Sequence, residues 1–299
     1  MHIPDNFLST PVWAALDAVS IPAVGFLARR ARRDLDDSRI PLLGVMGAFV
    51  FAAQMINFPV GAGTSGHLVG GALLACALGP APAALVMTAI IAIQAFIFQD
   101  GGVLALGANV LNMAIAGVLA GYWPIRLWGA VNKRAAIFAG AFLSVMVSAS
   151  LALGELLISG VPMPRPLILV SFALFAVSAL IEGAITVAVI QAIEKLNPGL
   201  LQRTSPNGGR AIAAFSGAAV LLGSIGFLLA STAPDGIERI GAQLGLGSTT
   251  AFHAILADYT MNIFESGWMR RATAGLAGLL LIYGVCVFAG RWIRRQRSA

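Results

Sequence analysis

Charged residues make up only 11% of this 299-residue chain, far below the share of an ordinary soluble domain, and a soluble fold is excluded on that ground. Lysine is almost missing. Lys133 and Lys195 are the only two, and neither lies in a G-x-x-x-x-G-K-[ST] loop, so the chain cannot hydrolyse ATP by that route. Cysteine is equally sparse: Cys76 and Cys286 sit in apolar runs without C-x-x-C spacing, which argues against a disulfide framework or a thiolate metal site. Histidine occurs three times, at His2, His67 and His253. The first ten residues carry no basic segment, and the first apolar run is followed by arginines rather than a small-residue cleavage site, so no cleaved signal peptide is expected. Met1 should persist in the mature chain, since His2 is too bulky to permit removal of the initiator methionine.

What fills the sequence instead is apolar: 58% hydrophobic residues and a mean hydropathy of +0.86 predict an all-α polytopic membrane protein. Nine runs approach the length needed to cross a bilayer: 12–28, 42–58, 67–78, 81–98, 103–122, 135–158, 167–193, 211–230 and 272–292. The third is short and glycine-rich, as a half-helix or a tightly packed buried helix would be. With the N-terminus outside and the C-terminus in the cytoplasm, fifteen of the nineteen basic residues fall inside, and only Arg165, Arg239, Arg270 and Arg271 fall outside. The positive-inside bias accounts for the net charge of +6 and a pI near 10.1, so no nucleic acid is implied. A bacterial or archaeal plasma membrane is the expected location.

The segment NPGLLQRTSPNGGR, residues 197–210, is rich in Pro, Gly and Asn and reads as a cytoplasmic linker. It divides a seven-helix body, residues 1–196, from a two-helix C-terminal appendage, residues 211–299, whose spans flank a polar extracytoplasmic loop at 231–271. No internal repeat is evident.

The opening MHIPDNFL combines a free α-amine, the amide of residue 2 and the His2 imidazole in one chelating unit. Binding through amine and amide closes a five-membered ring, and the imidazole adds a six-membered ring through Nδ1. Planar nitrogen ligation of this kind suits Ni²⁺ or Cu²⁺ and not the oxygen-seeking Mg²⁺ or Ca²⁺. A terminal Met-His alone is an ordinary exposed chain end. The stretch FPVGAGTSGHLVGG changes the balance, because His67 falls on the same face as Met1 and can supply a fourth nitrogen. Glycines 61, 63 and 66 permit the sharp turns that a site around a threaded terminus needs, while Gly70 and Gly71 are better read as close helix packing. Asn57, Gln94, Asn109 and Asn112 are amides in apolar surroundings. They serve either as support behind the site or as interhelical hydrogen bonds. Asp17, Glu155 and Glu182 lie in or near spans without a spacing that ties them to His67.

MHIPDNFL, GTSGHLVGG and DGGVLALGANVLNMAIAG (residues 100–117) together resemble the substrate-binding components of energy-coupling-factor nickel/cobalt transporters, the NikM/CbiM family. The resemblance covers Met1 to about Leu196 and implies a transported Ni(II) or Co(II) ion held by Met1, His2 and His67, with Asn109 and Asn112 behind them and no catalytic cofactor. Asn6 departs from the glycine common in the family, which should affect a local turn only. The C-terminal part, with TAPDGIERIG and FHAILADYTM, resembles the small two-helix accessory component of the same transporters, fused here to the body and suited to loading metal from outside. In that setting His253 reads as a solvated loop residue. Partners implied by the resemblance are a transmembrane coupling subunit and ABC ATPase subunits, beside the lipid bilayer. GTSGHL is closer to the nickel branch; a cobalt carrier is the nearest alternative. A rival of another class is a rhomboid-like intramembrane serine protease, suggested by Gly63-Thr64-Ser65-Gly66, but no histidine follows within a later span to activate Ser65.

Overall fold

The computed structural model describes residues 1–198, 209–247, 254–261 and 263–296. Its elements are α1 (Thr10–Asp34), α2 (Ile40–Gln54), a hairpin of β1 (Phe58–Gly61) and β2 (Thr64–Gly66), α3 (Gly71–Leu78), α4 (Pro80–Ile93), α5 (Leu106–Asn109), α6 (Val118–Trp128), α7 (Lys133–Ile158), α8 (Arg165–Leu196), α9 (Gly209–Ile225), α10 (Gly236–Leu244) and α11 (Gly267–Arg295). π-helical turns extend α4 over Gln94–Phe98 and join α5 to α6 over Val110–Gly117. The chain is an all-α multi-pass membrane protein; the hairpin is the only sheet among the described residues.

Among the described residues seven helical stretches are long and apolar enough to cross a membrane, where the sequence suggests nine runs. The difference lies in the second and third. Helix α2 has 15 residues, nearly all buried, and stops at Gln54 because the chain turns into the hairpin. The third run is helical only over the eight residues of α3; residues 67–70 are non-helical. Such backbone is tolerated at membrane depth only where protein satisfies its polar groups. Here Glu182 of α8 accepts from Val69 N (2.6 Å) and Gly70 N (2.8 Å), and Gln54 Nε2 donates to the Val69 carbonyl (2.8 Å). Gly70 is more than a packing residue: its φ of +79° is left-handed, and a Cβ there would meet Val50.

The two ends of the bundle differ. At one, Arg32 bonds Gln296, Arg294 pairs with Asp37, Lys133 pairs with Glu194, and Arg39 Nη2 donates to the Ala77 carbonyl (3.0 Å). At the other, the N-terminus, the hairpin, the turn at 99–105 and the segment carrying α10 fold against one another. The C-terminal helices are built into the body: Gly47 of α2 lets Cys286 of α11 approach, and Gly278 of α11 packs on Phe51 and Phe98.

Candidate metal centre

The first eight residues thread into the bundle end instead of lying on its surface: Met1, His2, Ile3, Asp5, Phe7 and Leu8 are all buried. Asn109 grips Ile3 from both sides, accepting from its N–H at 2.8 Å and donating to its carbonyl at 3.1 Å, and Gly102 N donates to the same carbonyl at 2.8 Å. Asp5 Oδ1 accepts from Leu104 N (2.8 Å), which fastens the next turn. At Asn6 the backbone is left-handed, φ +68°, a conformation asparagine tolerates and glycine takes freely.

This threading brings Met1, His2 and His67 together. The Met1 amine lies 2.7 Å from His67 Nε2, and the His2 and His67 rings stack with centroids 5.4 Å apart and planes within 6°. His67 Nδ1 is 3.0 Å from the Leu68 carbonyl, an acceptor only, so Nδ1 carries the proton and Nε2 presents its lone pair. Burial pulls the His67 pKa down to about 3; the terminal ammonium and His2 act the same way, while Asp235 and Asp100 oppose them. The imidazole is neutral at physiological pH. Among the described residues neither ring nitrogen of buried His2 has a well-directed hydrogen bond, although Nδ1 lies 3.0 Å from Asp100 Oδ1. An orphaned imidazole is costly in a buried place unless something else takes its lone pair.

Two carboxylates that the sequence reasoning passed over complete the cluster. Asp235, at the start of α10, pairs through Oδ2 with the Met1 amine and stands 3.9 Å from His67 Nε2. Burial pushes its carboxyl up, but the terminal ammonium and His67 outweigh it, and the pKa lies below the usual carboxylate range. Asp100 is likewise held low: burial raises it, and His2 and the Tyr259 hydroxyl (2.5 Å) more than compensate. Tyr259 stacks on Phe98 at 4.7 Å and takes a 3.4 Å contact from Gln94, which donates to Gln54 (2.9 Å). A signal for Asp235 stood in the sequence: Asp235-Gly-Ile-Glu238 is a capping-box pattern, and both of its reciprocal bonds form. Asp100 opens the motif at residues 100–117, but no local pattern gave its side chain a role.

Asn112 is not brought to the cluster. Its Nδ2 donates to Glu155 (2.8 Å), and its carbonyl accepts from Ser148 Oγ (2.8 Å) at the π-helical turn. Asp17 accepts from Gly107 N (2.7 Å), and Glu182 is committed to residues 69 and 70. Asn57 gives its carbonyl to Ser231 N (2.7 Å). His253 lies outside the described residues. Ser65 Oγ donates to the Ala233 carbonyl (2.7 Å) while both His67 nitrogens are engaged elsewhere, so among the described residues the geometry offers the protease reading no Ser-His pair.

No group of three or more His, Cys, Asp or Glu side chains at ligand spacing exists among the described residues. A metal here would therefore need main-chain nitrogen, which the buried terminus supplies. A polar cavity of 970 Å³ opens beside it, lined among others by His2, His67, Asp100, Asp235, Glu238 and Arg271.

Fold and site together define a multi-pass membrane protein that gathers its first residues, two histidines and two carboxylates around a polar cavity at one end. Residues 2–200 match the family described as cobalt uptake substrate-specific transmembrane region, and the chain belongs to that family. It is 33% identical over 302 residues to a putative fused nickel transport protein NikMN of Archaeoglobus fulgidus, covering 98% of this chain and 99% of that protein. A fused nickel transport protein NikMN of Rhodobacter capsulatus is 32% identical over 257 residues, 78% of this chain and 74% of that one. The cobalt transport protein CbiM of Acetoanaerobium sticklandii is 34% identical over 151 residues, 50% of this chain and 62% of that one. Among solved structures, a truncated transition metal transporter superposes with a TM-score of 0.59 and 31% identity, covering 65% of this chain and 99% of that chain.

Proposed function

We propose that this chain is the metal-capturing membrane subunit of an energy-coupling-factor importer, taking Ni(II) through four nitrogens: the Met1 amine, the deprotonated amide of residue 2, the His2 imidazole and His67 Nε2. The observation that carries this reading is the 2.7 Å approach of the buried Met1 amine to an unprotonated His67 Nε2, with the His2 ring stacked alongside. Planar nitrogen donors favour nickel over cobalt, and two relatives that match 95% or more of this chain are named for nickel. Cobalt uptake, named in the family description, is the second reading.

In this mechanism the site end faces outward. The ion enters the polar cavity, exchanges water for nitrogen and displaces the amine and amide protons, so affinity falls as pH drops. Asn109 and Gly102 keep residue 3 fixed while this happens. Energy comes from a coupling subunit and ATPase partners, which reorient the chain so that the ion is released to the cytoplasm.

The test is uptake of radiolabelled nickel and cobalt in cells expressing the partners, comparing wild type, His67→Ala and a variant with one residue inserted between Met1 and His2. Both variants should lose nickel uptake. Wild-type transport by the insertion variant would sink the chelate.

A further inference from the structure

We propose that Asp235, carried by the C-terminal appendage, positions the terminal amine for the metal, so that the appendage completes the site within the same chain. This rests on the nitrogen site proposed above and assigns a role that neither the body nor the relatives' names indicate.

The amine of a chain end is among the least ordered groups in a protein. Here residue 3 is fixed by Asn109 and Gly102, but those bonds leave the amine itself free to rotate. Asp235 removes that freedom. Its two oxygens are divided: Oδ1 accepts from Ile237 N (2.8 Å) and Glu238 N (2.9 Å), and Oδ2 takes the amine. Glu238 Oε2 in turn accepts from Asp235 N (2.9 Å), so the carboxylate is locked by its own helix start.

That helix is fastened to the body. Ser65 N donates to the Pro234 carbonyl (2.9 Å), Ser65 Oγ bonds Ala233, and Arg239 bonds Thr64. Gly236 packs against Phe175, and Gly241 against Phe7. The oxygen that meets the amine is held as rigidly as a scaffold residue, which is what orientation of a ligand requires.

The bond is compatible with metal binding. An amine that gives its lone pair to a metal keeps two N–H bonds, and one still donates to Oδ2. At 3.9 Å from Nε2, Oδ2 is beyond hydrogen-bond reach and leaves the His67 lone pair free for the metal. Asp235 acts through the amine and is not itself a ligand.

Nickel binding to the purified full-length chain in detergent, followed by calorimetry and by the visible absorption of the bound ion, tests this. Asp235→Asn keeps a good helix cap and removes the anionic acceptor; Asp235→Ser keeps a cap and removes Oδ2 altogether. Both should retain one ion per chain and the wild-type absorption band, with affinity lowered by about tenfold or more. Asp258→Asn removes a charge from the same cavity without touching Asp235, at a left-handed φ of +53° that asparagine tolerates, and should bind as wild type. Unchanged affinity in D235N and D235S overturns the proposal, as does a shifted band, which would make Asp235 a ligand. An equal loss in Asp258→Asn also overturns it, by reducing the effect to net charge. His67→Ala separates this from the site itself: normal binding there defeats the nitrogen site, whereas loss there with intact D235N binding defeats only the role of Asp235.

Discussion

Single residues set the chemistry, and the amides at Asn109 and Asn112 show how differently two similar side chains can be used. Asn109 makes two hydrogen bonds to Ile3, each worth on the order of 1 kcal/mol, so Asn109→Ala should weaken nickel binding by about tenfold or more. Asn112→Ala should leave nickel affinity within about twofold and lower the thermal midpoint instead, because it strips the partner of buried Glu155. Calorimetry and thermal unfolding of the two variants separate the effects. His67 gives a pH prediction. Its pKa is about 3 in the folded chain and near 6.5 when exposed, so between those values the unfolded chain binds more protons and acidification favours unfolding. Above about pH 6.5 this contribution is fully present, and below it stability declines by at most about 1.4 kcal/mol per pH unit until the folded pKa is reached. Thermal midpoints should therefore drop as pH is lowered from about 7 to about 5, and drop less in His67→Gln.

At the scale of elements, the non-helical turn that leads into α3 depends on a carboxylate from another helix. Removing the Glu182 side chain in Glu182→Ala strands two buried N–H groups at about 1–3 kcal/mol each, and should reduce both thermal stability and nickel affinity by loosening the backbone behind His67. Glu182→Gln offers one acceptor oxygen and should fall between. This element also marks the limit of reading the sequence. Helices α4 and α7–α9 are legible as apolar runs because hydrophobicity over about 20 residues is a local property. Residues 67–70 stop being helical because Glu182, more than a hundred positions away, takes their amides, and no local pattern carries that. The pairing of Met1 with His67 was readable from motif and topology. Asp235 was missed because the polar segment between α9 and α11 reads as solvated loop until the capping box is noticed, and Asp100 because its role depends on Tyr259 and His2 meeting across the fold.

For the whole molecule, the asymmetry of the two ends becomes a prediction about orientation. Thr232→Cys, exposed at the site end, should react in intact cells with a membrane-impermeant maleimide, and Ser38→Cys, exposed at the arginine-rich end, only after permeabilisation. The native cysteines should stay silent, since Cys76 lies within the apolar helix α3 and Cys286 is buried within α11. The reverse labelling pattern would turn the transporter around and defeat the proposed direction of uptake.

The contact between Met1 and Asp235 spans 234 positions, and this has a consequence for biogenesis. A ribosome adding roughly 5–20 residues per second needs on the order of 10–50 s to travel from one to the other. Throughout that interval the amine end of the nascent chain has neither its carboxylate nor the helix that carries it. The first group synthesised is among the last to find its place, so a chain stalled or cut before α10 would insert most of its helices and still lack the contact between Met1 and Asp235.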